Sequence, residues 1–232
     1  MVAQAHQDFE LLETLLLDAG TYFLLDRHMQ RLLASANYFH FAVSADAITA
    51  ALHTYAQTLA DGRWRVRMCV SRMGRVRLEH RPLHPLAAPP LPVALSRSPV
   101  MKDDLFLAHK TTRRAVYDSH RADHPEVFDV LLWNEHGELT ECTTGNIVIE
   151  LNARWLTPAY ASGLLAGTLR AELLARGEIQ EETLPCTVLP HASRLWLINS
   201  VRGQVEVRLI GSATLEPSGR LLRCDIPLRL AE

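Results

Sequence analysis

The side chains in this sequence that could bond covalently to a carbonyl compound are its lysines, and there are only two. Of the 24 lysines and arginines, Lys102 and Lys110 are lysines and all the others are arginines. Only an amine that can lose its proton forms a Schiff base, which a guanidinium does not do. On composition alone, chance survival of two lysines is the simpler explanation, so both are only candidates for covalent chemistry.

Two glycine-containing segments could bind a phosphate group. Gly167 and Thr168 stand at the start of a predicted helix, where free backbone N–H groups, the positive end of the helix and a hydroxyl favour an anion. Ser200 follows a predicted strand and precedes Gly203, and the N–H groups beside it could do the same. Each segment alone is compatible with an ordinary loop, but together they could bind one phosphate from two sides.

Two charged residues are further candidates for a functional role. Arg31 follows His28 by three residues on a predicted helix and could supply a charged fork for the phosphate, although an isolated arginine on an amphipathic helix is usually solvated. Glu141 stands in a predicted, half-buried strand. A carboxylate there is costly unless it is paired, so we expect a cationic partner, which could equally form a purely structural ion pair.

Motifs for other chemistries are incomplete or absent. His80 and His84, and likewise His120 and His124, have i, i+4 spacing, but no glutamate completes an HExxH motif. Neither GxSxG nor GxxxxGK[ST] occurs, which argues against a serine hydrolase and a P-loop enzyme. The sequence therefore predicts no metal site.

Strands and helices alternate around these candidate residues. Residues 9–25 are predicted to form a hairpin that turns at residues 19–20, and Asp26 and Ser44 are predicted to cap the two helices that follow. Later helices are predicted over residues 112–122 and 168–176. Strands are predicted, by their alternating or continuous apolar residues, over residues 64–70, 75–83, 127–134, 139–151, 194–200 and 205–211.

Composition indicates a cytoplasmic protein, and the order of the predicted elements indicates an α+β fold with two lobes. A net charge of -2 argues against nucleic acid and membrane partners, and no apolar run suggests a signal peptide or a membrane span. Four widely spaced cysteines without a CxxC pair fit reduced thiols. Five prolines between Pro82 and Pro92 predict the edge of a first lobe, residues 1–98, which precedes a larger lobe, residues 99–232.

Six segments, in this order, resemble those of fold-type IV, or class IV, enzymes that depend on pyridoxal 5'-phosphate (PLP). This family includes D-amino-acid and branched-chain aminotransferases and aminodeoxychorismate lyase. The resemblance extends from Phe9 to about Val207, and it rests on LLETLLLDAG, LLDRHMQRLLASA, HKTTRRAVYD, GELTECTTGNIVIE, LTPAYASGLLAGTLRAELL and LWLINSVRG.

The resemblance implies a two-lobed α+β fold like that of D-amino-acid aminotransferase, with PLP in the cleft between the lobes. It implies that Lys110 forms the covalent bond to PLP and that Glu141 contacts the pyridine nitrogen, which keeps the ring an electron sink. It also implies a homodimer. The remaining cofactor-binding residues implied are Arg31, Gly167, Thr168, Asn199 and Ser200.

Within the family, residues 199–203 and the KTTRRAVYD segment are most similar to aminodeoxychorismate lyases, especially domains fused to aminodeoxychorismate synthase. The implied reaction converts 4-amino-4-deoxychorismate into 4-aminobenzoate, a folate precursor, and pyruvate, with Lys110 as anchor and base. Arg114, Arg202 and Thr14 are the candidate substrate-binding residues, and a functional link to the synthase is implied. The alternatives are a class IV aminotransferase acting on branched-chain or D-amino acids, and a non-catalytic binding module.

Two features depart from the family pattern. Phe9 to Thr14 follows almost at once on Met1, whereas free-standing relatives carry an additional strand and a GDG segment there. Ala166 precedes Gly167 where proline is common, which predicts a less rigid turn.

Overall fold

The computed structural model describes residues 9–211, 214–215 and 221–223, and the chain within it forms two compact units. The first unit comprises the described residues up to Pro85 together with His109–Arg114 and Ser200–Arg202. The second comprises Leu86–Ala108, Ala115–Asn199 and the described residues from Gly203 onward. Two short later segments, one with Lys110 and one with Ser200, therefore belong to the first unit.

The first unit is built on an antiparallel four-stranded sheet in the order β2-β1-β3-β4. Strands β1 and β3 pair along their whole lengths, from Leu11 opposite Val70 to Asp18 opposite Arg63. The elements of this unit are β1 (Leu11–Asp18), β2 (Thr21–Tyr22), α1 (Leu25–Phe39), α2 (Ala45–Gln57), β3 (Arg63–Val70) and β4 (Val76–Pro82). The predicted hairpin and the strands on either side of residues 73–74 are confirmed, although β2 is shorter than expected.

The two helices of this unit begin in different ways. The prediction for Ser44 is confirmed, since its Oγ accepts a hydrogen bond from the Ala47 N–H. The prediction for Asp26 is wrong: α1 begins at Leu25, and Leu24 caps it in the left-handed conformation with φ 54°. Asp26 therefore lies in the first turn, where a carboxylate interacts favourably with the helix dipole.

The second unit is built on a mixed eight-stranded sheet in the order β10-β9-β8-β11-β12-β5-β6-β7. Apolar side chains of these strands, among them Leu131, Ile147 and Leu197, form its main core. Its elements are β5 (Leu91–Leu95), α3 (Leu105–Ala108), α4 (Ala115–Ala122), β6 (Asp129–Trp133), β7 (Leu139–Cys142), β8 (Asn146–Leu151), β9 (Arg154–Pro158), α5 (Thr168–Ala175), β10 (Gln180–Glu182), β11 (Arg194–Asn199) and β12 (Gly203–Leu209), and a separate two-stranded pair follows, β13 (Thr214–Leu215) and β14 (Leu221–Arg223). The mixed α+β class is confirmed.

Two predicted elements of this region are wrong in extent. The helix expected from Thr112 begins at Ala115, because the backbone of Thr111 and Thr112 is bonded to the first unit instead. The strand expected over residues 139–151 is divided into β7 and β8 by a tight turn. At Gly145 in that turn, a Cβ atom would lie 2.6 Å from the Ile198 carbonyl oxygen, so only glycine fits there.

The buried carboxylate of Asp129 holds this turn in place. It accepts hydrogen bonds from the Thr143 N–H, at 2.9 Å, and from the hydroxyls of Thr143 and Thr144. Asp129 is 0% exposed, so these donors satisfy a charge that water does not reach. This turn also fixes the end of β7 at Cys142, one residue after Glu141.

The cysteines among the described residues, Cys69, Cys142 and Cys186, are buried free thiols. Among the described residues, no helix combines the length and the apolar character needed to cross a membrane.

We predict that Asp129→Ala lowers the free energy of unfolding by about 3 kcal/mol, because it leaves buried N–H and hydroxyl donors without their acceptor. Urea unfolding followed by circular dichroism measures this change. Asp129→Asn keeps one acceptor oxygen and should lose less stability than Asp129→Ala. Equal stability of Asp129→Ala and the wild type would contradict this role for the carboxylate.

Candidate active site

The backbone around Lys110 is fixed to the start of β1. The Lys110 carbonyl accepts a hydrogen bond from the Leu12 N–H at 2.9 Å. Thr112 and Glu10 exchange two more bonds, since the Thr112 N–H donates to the Glu10 carbonyl and the Glu10 N–H donates to Thr112 Oγ1, both at 2.9 Å. The Lys110 segment is therefore held like an additional short strand, which limits where its side chain can reach.

His109, the residue before Lys110, is fixed to α1 by its side chain. Its Nδ1 lies 2.9 Å from Ser35 Oγ, and its ring contacts those of Tyr38 and Phe39 at centroid distances of 4.6 and 4.8 Å. Burial lowers the pKa of His109, which favours the neutral ring. Lys110 is thus held on one side by the side-chain contacts of His109 and on the other by the backbone hydrogen bonds of Thr112.

The carboxylate of Glu13, which is 1% exposed, lies in the first unit and contacts two side chains of α1. Arg31 donates to it from Nε at 2.8 Å and from Nη2 at 2.6 Å, and His28 Nδ1 lies 2.7 Å away. Burial raises the pKa of Glu13, but Arg31 and His28 together outweigh this effect and lower it to about 2. Glu13 is therefore a carboxylate at neutral pH.

The Glu13 carboxylate was not identified from the sequence, and its bonds to Arg31 change the interpretation of that arginine. Two of the five N–H donors of the guanidinium bond to Glu13, so Arg31 belongs to a buried network and is not a solvated helix residue. Its contact with a phosphate stays a prediction. The sequence feature that could have identified Glu13 is a glutamate at an inward-facing position among the leucines of LLETLLLD.

The predicted cofactor-binding residues Asn199 and Ser200 fall in different units. Ser200 Oγ lies 3.0 Å from His28 Nε2, within the first unit, and Ser200 is 6% exposed. Asn199 ends β11 in the second unit and donates from Nδ2 to the Thr144 carbonyl at 3.3 Å. The role of each residue in binding phosphate stays a prediction.

The Glu141 carboxylate is buried in the second unit and accepts hydrogen bonds from neutral donors. The cationic partner expected from the sequence stays a prediction. The Tyr117 hydroxyl donates to Oε1 at 2.8 Å, the Leu165 N–H donates to Oε1 at 3.1 Å, and Asn146 Nδ2 lies 3.4 Å from Oε2. All three are neutral donors, so these contacts satisfy the carboxylate without cancelling its charge. Tyr117 and Asn146 were not identified from the sequence, because they are distant from Glu141 in the chain or lie across a turn from it.

The start of α5 requires glycine at position 167. A Cβ atom there would lie 2.0 Å from Asn146 Oδ1. Asn146 also donates from Nδ2 to the Leu165 carbonyl at 2.9 Å, so its amide holds the loop before α5. These contacts order the loop even though Ala166 stands where proline is common in the family. Thr168, the first residue of the helix, is buried.

Two of the predicted substrate-binding residues, Arg114 and Arg202, belong to a dense group of positive charges in the first unit. Arg65 of β3 lies near four other guanidinium groups, and partial burial followed by this repulsion lowers its pKa. We call the five residues the arginine cluster: Arg65, Arg67, Arg81, Arg114 and Arg202.

Strand register places part of the arginine cluster on one face of the sheet. Thr14 is opposite Arg67 across β1 and β3, and Arg65 is opposite Arg81 across β3 and β4. Glu79, opposite Arg67, is the acidic member of this face and pairs with Arg77. Arg65, Arg67 and Arg81 line a depression of about 220 Å³ together with Glu79 and His80.

We predict that Glu13→Gln lowers the free energy of unfolding at neutral pH by about 3 kcal/mol, because it leaves Arg31 and His28 without their buried carboxylate. Since folding lowers the pKa of Glu13 from 4.5 to about 2, the wild type should also lose stability as the pH falls between those values, and the variant should lose less. Urea unfolding at neutral and acidic pH tests both effects. Glu10→Gln, which removes a surface pair with Arg77, is the control and should cost under about 1 kcal/mol.

Comparison with known proteins agrees with this architecture. The chain is 32% identical over 205 residues to a curated protein of Schizosaccharomyces pombe named "Putative aminodeoxychorismate lyase", an alignment that covers 84% of this chain and 87% of that one. A crystal structure named "Putative amino-acid aminotransferase", from Mesorhizobium loti, has 33% identity and a TM-score of 0.82, and the match covers 88% of this chain and all of that one. The 4-amino-4-deoxychorismate lyase of Pseudomonas aeruginosa shares the fold, with a TM-score of 0.74 and 24% identity over 86% of this chain and 82% of that one.

The family model "Amino-transferase class IV" matches residues 10–210, which include β1, the Lys110 segment, Glu141, the start of α5 and Ser200. This match covers most of the chain and confirms the resemblance noted in the sequence. The chain is therefore a fold-type IV enzyme and belongs to the class IV aminotransferase family of PLP-dependent enzymes.

Proposed function

We propose that this chain is a 4-amino-4-deoxychorismate lyase, which eliminates pyruvate from its substrate and yields 4-aminobenzoate. The observation that carries the proposal is the arginine cluster. Arg65 lies near four other guanidinium groups that repel it, and an anionic ligand would relieve that repulsion. The lyase substrate has two carboxylates, whereas a branched-chain amino acid has one, and planar guanidinium groups suit bidentate recognition of carboxylates.

The residues present fit PLP as the cofactor of this reaction. Glu141 offers a buried carboxylate, which suits a hydrogen bond to a protonated pyridine nitrogen. Gly167 is the N-cap residue of α5, and the positive end of a helix favours an anion such as a phosphate. We assign Lys110 to the covalent bond and the following residues to further contacts with the cofactor: Arg31, Glu141, Gly167, Thr168, Asn199 and Ser200.

When bound, PLP acts as an electron sink: it accepts the electron pair that is left when the C–H bond next to the substrate amine breaks. The chain's own part is to hold the substrate and move that proton. The Lys110 amine, displaced by the substrate amine, accepts the proton from C4. Arginine side chains of the cluster hold the two carboxylates, which orients the enolpyruvyl group for departure as pyruvate and leaves an aromatic ring.

An aminotransferase is the second candidate, and the similarity to the Mesorhizobium loti protein favours it. The two activities share the cofactor and the lysine, so the identity of the substrate distinguishes them. The lyase proposal includes a homodimer and a separate aminodeoxychorismate synthase that supplies the substrate.

We predict that the purified, PLP-loaded chain forms 4-aminobenzoate and pyruvate in equal amounts from aminodeoxychorismate generated in place by a synthase. Lys110→Ala should abolish both products and the covalent trapping of PLP by borohydride, because the variant has no amine at that position. Lys102→Ala is the matched control and should retain both. A chain that forms neither product, yet transfers amino groups from amino acids to keto acids, would be an aminotransferase.

We predict that Arg65→Gln and Arg67→Gln each raise KM for aminodeoxychorismate about 10- to 100-fold with a small change in kcat, because they remove carboxylate binding shared by the ground and transition states. Steady-state kinetics of product formation measure this split. Arg75→Gln, an exposed arginine at the turn between β3 and β4, is the control. Unchanged KM in both cluster variants would rule out carboxylate recognition by β3.

A further inference from the structure

Three buried side chains of the first unit form a continuous hydrogen-bonded chain that ends at Ser200. Glu13 Oε2 lies 2.7 Å from His28 Nδ1, and His28 Nε2 lies 3.0 Å from Ser200 Oγ. Glu13, His28 and Ser200 are 1%, 0% and 6% exposed, so water does not compete for these bonds. The role proposed for Ser200, to donate a hydrogen bond to a phosphate, leaves His28 and Glu13 without an explanation.

The direction of each hydrogen bond follows from the charge of Glu13. A carboxylate only accepts, so His28 Nδ1 must carry a hydrogen and donate it to Glu13. In a neutral His28, Nε2 then has no hydrogen and accepts, so the Ser200 hydroxyl donates to it. That hydroxyl has one hydrogen, and Ser200 then presents only lone pairs to any other group.

Protonation of His28 reverses the second bond. Nε2 of an imidazolium donates to Ser200 Oγ, and the hydroxyl hydrogen of Ser200 becomes available to another acceptor. A phosphate or sulfate dianion offers only acceptors at neutral to alkaline pH. The Ser200 hydroxyl can therefore donate to such an anion without losing its bond to His28 only when His28 is protonated.

We propose that His28 is a positioning residue, held by Glu13, that sets the direction in which the Ser200 hydroxyl donates, and that a dianion which binds at Ser200 does so with uptake of one proton at His28. This inference rests on the proposed phosphate-binding role of Ser200. It adds that the affinity of the site for the cofactor phosphate depends on pH through a residue that does not touch the phosphate.

The charges around His28 decide how readily the proton is taken up. Glu13, on β1, stabilises an imidazolium, whereas Arg31, one turn farther along α1, opposes it and is itself neutralised by two bonds to Glu13. Ser200 contributes a dipole that can turn to suit either state of the ring. An arriving dianion adds negative charge and favours the imidazolium further.

Sulfate is the probe for the test, because it stays a dianion throughout the range in which histidine titrates. The full chain is freed of cofactor, and the inhibition constant of sulfate against PLP rebinding, followed by absorbance, is measured from about pH 6 to about pH 9. Competition with PLP restricts the measurement to the phosphate site and excludes sulfate bound elsewhere, for example at the arginine cluster.

In the wild type, the inhibition constant should rise toward about tenfold per pH unit at the alkaline end, the slope expected for one linked proton. His28→Gln places a permanent amide donor near the position of Nε2 and should give a constant affinity across the range. Ser200→Ala should bind sulfate about tenfold or more weakly at acidic pH and also show no slope. His53→Gln, at an exposed position of α2, is the matched control and should keep the wild-type profile.

The outcomes separate the two proposals. If Ser200→Ala weakens sulfate binding but the wild type shows no slope, or the slope persists in His28→Gln, the positioning role of His28 is wrong and the proposed function is unaffected. If Ser200→Ala and Arg31→Gln both leave sulfate and PLP binding unchanged, the phosphate site is wrongly assigned and the inference fails with it. The wild-type slope requires no variant, so a misfolded His28→Gln protein does not prevent a decision.

Discussion

The first unit depends on the burial of one carboxylate, that of Glu13. An isolated buried charge is strongly unfavourable, so the fold must bring cationic or hydrogen-bonding partners to it. Arg31 and His28, three residues apart on α1, are those partners, and their bonds fix the rotation of α1 against β1. Through His28 the constraint extends to Ser200, which is distant in sequence. One charge thus positions a helix, an arginine and a serine proposed to bind phosphate.

Buried carboxylates have the same organising role in the second unit. Asp129 closes the turn between β7 and β8, and Glu141 joins the hydroxyl of Tyr117 to the loop before α5. In the arginine cluster the situation is reversed, because like charges are brought together. Such repulsion reduces stability, and natural proteins retain it where a ligand of opposite charge binds. That reasoning favours a substrate with more than one carboxylate.

The sequence by itself determined the secondary structure of most of the first unit and the family. Alternating apolar residues and short glycine turns specify the β1–β2 and β3–β4 hairpins through local geometry. The hydroxyl of Ser44 specifies a helix start for the same reason. A scarce lysine and a carboxylate within a predicted strand were candidates only, and the resemblance of the HKTT and LTECTTGN segments to fold-type IV enzymes singled out Lys110 and Glu141. These signals are local, so they can be read from neighbouring residues alone.

Only the tertiary structure decided the partners of those residues. The pairing of Glu13 with Arg31, the neutral donors around Glu141 and the gathering of five arginines all join positions that no sequence period relates. The helix expected from Thr112 was shortened for this reason, since the Thr112 N–H bonds to the Glu10 carbonyl and the helix begins at Ala115. Long-range contacts outweigh local propensity because burial and charge satisfaction are worth more than the few tenths of a kcal/mol per residue that propensity contributes.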